Sequence, residues 1–156
     1  MIDNNQDMDT KSGLDIEKIA DVLIGEAIRA INGSHPDNPG NRRFGSALQT
    51  SSGNVFSSSA FWSDTLSLTL HAEHAALAHA AAHNDRQAVA IACVSTEDEH
   101  GEAYCHPCGI CKQLIYENSL SSGIDILVVM ANLKGKFTVR YISELVPFPW
   151  PPKRTA

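Results

Sequence analysis

His71-Ala72-Glu73-His74-Ala75-Ala76-Leu77-Ala78-His79-Ala80-Ala81-Ala82-His83 and Pro107-Cys108-Gly109-Ile110-Cys111 are the two stretches on which the fold of this chain turns. The first is Ala-rich and strongly helix-forming, so a helix is predicted over Ala72–His83. The second carries a proline at a helix entry, where a missing N–H costs nothing, so a helix is predicted over Cys108–Asn118. Two thiols three residues apart on a first turn project to one side. A helix N-terminus favours negative charge, which lowers thiol pKa and helps hold thiolates. His71, at the start of its own helix, adds an imidazole. Together the stretches supply one imidazole, two thiols and, at Glu73, a carboxylate two residues from the imidazole. Three such donors suit a zinc ion with an open fourth position, the arrangement of a catalytic rather than a structural site. Gly109 is expected to let the backbone pass close to the ion or its ligand.

Rival donors compete for that role. His74, His79 and His83 lie on the first helix, and Cys105 and His106 precede the second. His71 and His74 form an i, i+3 pair that could chelate alone. Cys105 could join His71, Cys108 and Cys111 in a four-ligand structural site without catalysis. His79 and His83 read as surface or partly satisfied helix residues. Glu73 on an Ala-rich helix would ordinarily be a solvated charge, but here it stands within reach of the open position.

The remaining segments fall into place around these two helices. Apolar residues from Leu14 to Ile31 recur with helical periodicity along one broad face. His35-Pro36-Asp37-Asn38-Pro39-Gly40-Asn41 is a loop. Phe44–Thr50 and Val55–Ala60 flank Ser51-Ser52-Gly53-Asn54 and read as a hairpin. Ala88–Val94 and Ile124–Met130 are short apolar runs, hence buried strands, with Cys93 a core thiol in the first. Phe137–Tyr141 is a shorter, more exposed strand, and Ser143–Val146 a terminal turn. The prolines from Pro147 onward cannot continue a helix. The order α-β-β-α-β-α-β-β predicts an α/β fold with a mixed sheet covered by helices.

The chain has 156 residues, 43% hydrophobic and 19% charged, which is one domain of ordinary globular composition. That domain is assigned to residues 14–150, between a polar, disordered tail over 1–13 and a short tail over 151–156. No apolar stretch is long enough for a membrane span. The net charge of −6, with only Arg42-Arg43 and Lys153-Arg154 as basic pairs, disfavours a nucleic-acid partner. Three of the four cysteines fall within seven residues without a secretion signal, so a cytoplasmic metal cluster is expected rather than a disulfide framework.

The H-x-E…P-C-x-x-C pattern of His71, Glu73, Pro107, Cys108 and Cys111 resembles that of the zinc-dependent nucleobase deaminases, and the chain from about Leu14 to Trp150 resembles the cytidine deaminase superfamily. The resemblance implies a three-layer α/β/α sandwich with a mixed five-stranded sheet and the zinc site at the start of two helices. It implies Zn2+ held by His71, Cys108 and Cys111, with Glu73 moving protons between an activated water, the ring and the leaving amine. It also implies Cys105 and His106 as pocket-wall residues, and a homotetramer or dimer with sites near the interfaces.

The substrate end departs from the family pattern. Ordinary members carry F-x-V-G-A-A-L on the first strand, where this chain has Arg42-Arg43-Phe44-Gly45-Ser46-Ala47-Leu48. Their N-x-E ribose motif is replaced by Ala60 and Trp62. Trp62 offers a stacking wall for a different ring, and Arg42 could pair with an anionic group on it. Leu145-Val146-Pro147-Phe148-Pro149-Trp150 is similar to the aromatic ending of blasticidin S deaminases, so Phe148 and Trp150 are expected to cover the site of their own or a neighbouring subunit. The expected substrate is a small aminated heterocycle, pyrimidine-like, as base or modified nucleoside. A polynucleotide deaminase and a non-catalytic zinc-stabilised module are the alternatives.

Overall fold

The computed structural model describes residues 15–33, 42–96, 100 and 102–152. The tail over 1–13, the loop His35–Asn41 and the terminal residues from 153 onward lie outside them. Helix α1 spans Ile16–Ile31. It begins two residues later than the periodicity predicts, because Asp15 caps it by accepting from the Lys18 N–H at 3.1 Å. Strands β1 (Phe44–Thr50) and β2 (Val55–Ser59) form the hairpin, turning through Gly53 at φ +85°, a conformation that favours glycine. Then come a short 3-10 turn (Leu66–Leu68), α2 (Ala72–Ala82), β3 (Ala88–Ser95) and α3 (Gly109–Ser122). Strands β4 (Leu127–Ala131) and β5 (Phe137–Tyr141) and the short helix α4 (Ile142–Leu145) complete the chain.

Several boundaries differ from the sequence expectation, the largest being the end of α3, which runs on to Ser122 rather than stopping at Asn118. β4 begins at Leu127 rather than Ile124, because Gly123 at φ +74° ends α3 and the next residues make the connection back to the sheet. The terminal turn is the one-turn helix α4, whose start is fixed by the Tyr141 N–H donating to Glu144 Oε2 at 2.7 Å.

The sheet order is β2-β1-β3-β4-β5. β3 and β4 run parallel, and the other neighbouring pairs are antiparallel. The two-residue period of a strand sorts the side chains between two cores. Ala47, Ala90, Ala92, Val94, Leu127, Val129 and Val139 meet the apolar face of α1. Leu48, Ile91, Cys93, Val128 and Met130 meet α2 and α3 through Ala76, Ala80, Ile115 and Tyr116. This is the three-layer α/β/α sandwich with a mixed five-stranded sheet. Cys93 is 3% exposed, as expected of a core thiol.

Parallel pairing decides where a pocket can form. A chain leaving β3 must cross over before entering β4 in the same direction, so α3 begins beyond the carboxyl end of β3. Phe44 pairs with Ser95 and Gly45 with Ser59, so the start of β1 and the end of β2 lie at that same end. Gly45 lets α1 sit close there: a Cβ on it would stand 2.1 Å from the Ala27 carbonyl oxygen and 2.9 Å from Ile31 Cγ1.

At the opposite end, Asp85 holds the hairpin turn. Thr50 Oγ1 donates to its Oδ2 at 2.7 Å, Asn54 Nδ2 at 2.8 Å, and Ser52 Oγ donates to Oδ1 at 3.3 Å. The bonds from Asn54 and Thr50 pull the Asp85 carboxyl below its ordinary range.

Gly45→Ala is expected to destabilise the protein by about 1–3 kcal/mol through overpacking. Gly25→Ala, in open space on α1, is expected to stabilise it by roughly 0.5–1 kcal/mol. Urea unfolding of both variants checks this, and similar effects of the two would contradict it. Asp85→Ala should lower the melting temperature at neutral pH. A depressed carboxyl pKa contributes stability above the unfolded value of 3.8 and loses it as pH falls through the folded value. The gap between the two melting curves should therefore close below that pH; a gap unchanged in acid would refute the reading.

Candidate metal centre and its pocket

His71 and Cys108 are the N-cap residues of α2 and α3, and neither side chain makes a capping hydrogen bond. Helix starts normally place Ser, Thr, Asp or Asn at this position, and forgoing that bond costs about 1 kcal/mol. Here the two side chains turn away from their own helices and toward each other. His71 Nδ1 lies 3.2 Å from Cys111 Sγ and 3.3 Å from Cys108 Sγ, and the two sulfurs are 3.4 Å apart. The three atoms form one group that could hold a metal ion. Their separations fall slightly inside the roughly 3.6–3.8 Å edges of a tetrahedron built from ordinary zinc–nitrogen and zinc–sulfur bonds. The donor set is borderline-soft nitrogen and soft sulfur, which fits zinc and disfavours calcium or magnesium.

The rival donors stand apart from this group. Cys105 and His74 are not members of it among the described residues. Cys105 is buried, its N–H donates to the Ala131 carbonyl, and its own carbonyl accepts from the Cys93 thiol at 3.1 Å. His74 stacks on His71, with ring centroids 5.1 Å apart and planes inclined by 12°. Burial, and then the neighbouring His71, push the His74 pKa down. His79 and His83 lie at the far end of α2, packed on Phe56 and exposed.

Glu73 lies in the first turn of α2 and is only 7% exposed. Burial and then this carboxylate push the Cys111 thiol well above its ordinary pKa in the metal-free protein. A bound cation at the triad would reverse both effects, because it stabilises thiolate and carboxylate alike.

The group opens into a cavity of about 240 Å³ lined by Phe44, Ala60, Trp62, Thr69, Ala72, Glu73, Cys105 and His106 beside the triad. Phe44, Ala60, Trp62 and His106 all line this one cavity. The segment after β2 is held by a bridge between Phe61 and Leu70 and by the Ser63 N–H donating to Thr69 Oγ1 at 3.1 Å. That closure aims Trp62 and Thr69 at one space. Thr69 and Ala72 carry no sequence signal beyond adjacency to His71, and neither is anticipated. His106 Nδ1 approaches Met130 Sδ at 3.1 Å, which leaves the other ring nitrogen for the cavity side.

Three further residue groups lie outside the cavity lining or beside open space. Phe148 and Trp150 do not cover the pocket of their own chain. Phe148 is 96% exposed and borders a separate surface groove with Tyr116, Ser143 and Val146, and the Trp150 carbonyl is held by Gln113 on α3. The Tyr116 hydroxyl donates to the Pro151 carbonyl at 2.6 Å, so the ending is fastened along the far side of α3. Arg42 precedes β1, is exposed and is not part of the cavity lining. A Cβ on Gly109 would have no protein atom within 4 Å, so the space beside the start of α3 is open.

No helix among the described residues is long and apolar enough to cross a membrane. No family model matches the chain. A curated relative named cytidine deaminase, from Halalkalibacterium halodurans, is 33% identical over 127 residues, covering 81% of this chain and 89% of the relative. The crystal structure of cytidine deaminase from Burkholderia pseudomallei is similar at a TM-score of 0.73 and 28% identity, over 83% of this chain and 97% of that one. The cytidine deaminase structure from Mycobacterium leprae is similar at 0.65 and 26% identity, over 81% and 96%.

Replacing Cys108 or Cys111 by Ala should abolish stoichiometric zinc retention after dialysis, whereas Cys105→Ala should leave about one ion per chain, as expected of three protein ligands. Metal analysis of the purified proteins checks this, and loss of zinc in Cys105→Ala would restore the four-ligand alternative.

Proposed function

The chain belongs to the cytidine deaminase family, and on that premise we propose that it is a zinc-dependent hydrolase releasing ammonia from an aminated pyrimidine-like base or nucleoside. The observation that carries this reading is the placement of a buried carboxylate, Glu73, in the same small cavity as the His71, Cys108 and Cys111 donors. His71 Nδ1 and the Cys108 and Cys111 sulfurs would hold the ion. Zinc with an open position lowers the pKa of water toward neutrality.

The residues of the chain perform the remaining work. Glu73 takes a proton from the attacking water and delivers it to the ring nitrogen next to the amino-bearing carbon. A C–O bond forms at that carbon. Glu73 then passes the second proton of the water to the amino group, the C–N bond breaks, and ammonia leaves a ring carbonyl behind. One carboxylate serves for both transfers because Glu73 is buried in the cavity wall beside the donors, so a single side chain faces both the attacking water and the ring. Phe44 and Trp62 present aromatic surface to the ring, and Ala60 leaves room beside it.

The lining also bears on selectivity. Among the described residues it holds, apart from Glu73, no carboxylate and no amide that could grip a vicinal diol. Sites that reject close analogues do so with buried polar partners, so this chain's own pocket recognises the ring more than a sugar. Arg42 is exposed just before β1 and is not itself a lining residue. Exposed Leu66, Leu68 and Leu70 lead into His71, and exposed Ile110 and Leu114 follow Cys108, so apolar surface borders the site on both sides. That surface supports a homo-oligomer, tetramer or dimer. Within such an assembly Phe148 and Trp150 would contact a neighbouring subunit rather than their own pocket. A reducing compartment such as the cytoplasm keeps the clustered thiols available as ligands.

Ammonia release from cytosine, cytidine, deoxycytidine, ring-methylated cytidines and blasticidin S tests the proposal, with Glu73→Ala as the blank. The variant should keep its zinc and lose turnover by about 10²–10⁴-fold, the range for general acid–base catalysis. Full turnover without Glu73 would refute the assigned chemistry.

A further inference from the structure

His71 has little else to orient its ring. It is an N-cap residue, half-buried, and its side chain makes no capping bond to its own helix. Yet an imidazole nitrogen binds a metal only along a lone pair lying in the ring plane, so the tilt of that plane decides whether Nδ1 meets the two sulfurs. The plane is set by a neighbour. His74, one turn further along α2 and on the same face, lies parallel to the His71 ring within 12° at a centroid distance of 5.1 Å.

His74 is itself fixed from the other side. Its ring interacts with the backbone at Ile110, the residue next to Cys111 in the first turn of α3, and its Nε2 is closed off from solvent with no partner among the described residues. Nearly parallel rings direct their in-plane lone pairs along parallel planes, which do not converge on one ion. His74 is thus unsuited to share His71's metal, although it is well placed to hold His71.

We infer that His74 is a positioning residue for the metal centre: stacked on His71 and seated on the start of α3, it sets the ring plane in which His71 Nδ1 points at Cys108 and Cys111. It ties the two halves of the donor set, which come from different helices, through a single side chain. The inference rests on the reading that this triad holds the metal. It assigns His74 no part in proton transfer.

Two variants test it, His74→Ala, which removes the stack, and His74→Phe, which keeps a flat ring. Zinc affinity is read by competition with a chromophoric chelator, and ligand geometry by the visible d–d bands of the cobalt-substituted protein. Thermal unfolding of the metal-free proteins reports whether the fold is intact. His74→Ala is expected to lose about 10–100-fold in zinc affinity, the usual effect of removing a residue that orients a ligand, and to shift the cobalt bands. His74→Phe should recover most of the affinity and the wild-type bands. Wild-type affinity in His74→Ala, or a His74→Phe protein no better than His74→Ala, would overturn the inference and leave the proposed function standing. A wild-type protein that binds no zinc would remove both. If His74→Ala fails to fold, His74→Asn against His74→Phe makes the same comparison between a side chain without a ring face and one with it.

Discussion

The parallel pairing of β3 with β4 is the constraint on which the rest depends. It obliges the chain to leave the sheet at Ser95, travel back over α3 and re-enter beside its starting strand. That route sets the start of α3 beyond the carboxyl end of β3, and in open α/β sheets ligands gather at such carboxyl ends. The antiparallel registers on the other side bring Phe44 and the end of β2 to the same edge. α2 then enters from that edge, so two helix starts face one small volume. The chemistry of the site follows from this convergence, since each helix contributes an uncapped donor and one turn of oriented N–H groups.

The helix starts also show where stability yields to function. A serine at either N-cap would strengthen its helix, and the chain instead places an imidazole and a thiol there. The Glu73 carboxylate and the Cys111 thiol, both polar groups, are buried beside these helix starts. Local propensity and burial are therefore both violated at the same few residues, while the surrounding sheet satisfies them. Such a concentration of unfavourable choices is the physical mark of a site.

Much of this was legible in the sequence because it is periodic. The short apolar run Ala88–Val94 marks a buried strand and the helical period from Leu14 to Ile31 marks the buried face of α1, while the H-x-E and P-C-x-x-C spacings mark the helix starts. What the sequence did not reveal depends on direction rather than pattern. Thr69 faces the cavity because the Phe61–Leu70 bridge closes an irregular segment, and no period describes such a segment. Phe148 and Trp150 look like a pocket cover, yet Tyr116 and Gln113 fasten the ending to α3, away from the cavity lining. Gly45 reads as one more strand residue until the Ala27 carbonyl is seen against it.

The sheet-facing side of α2 has a wider consequence. Ala72, Glu73, Ala76 and Ala80 are its buried residues, so the helix rests on the sheet through methyl groups. Its height above the strands is set by three of the smallest side chains available, and close packing transmits any change of volume as displacement. A helix carried on larger side chains would lift the Glu73 carboxylate away from the cavity it lines. Room for substitution is accordingly lopsided: the exposed positions Ala78 and Ala82 leave space for larger side chains, while Ala76 and Ala80, about one and two turns beyond Glu73 and bearing no functional group, leave none.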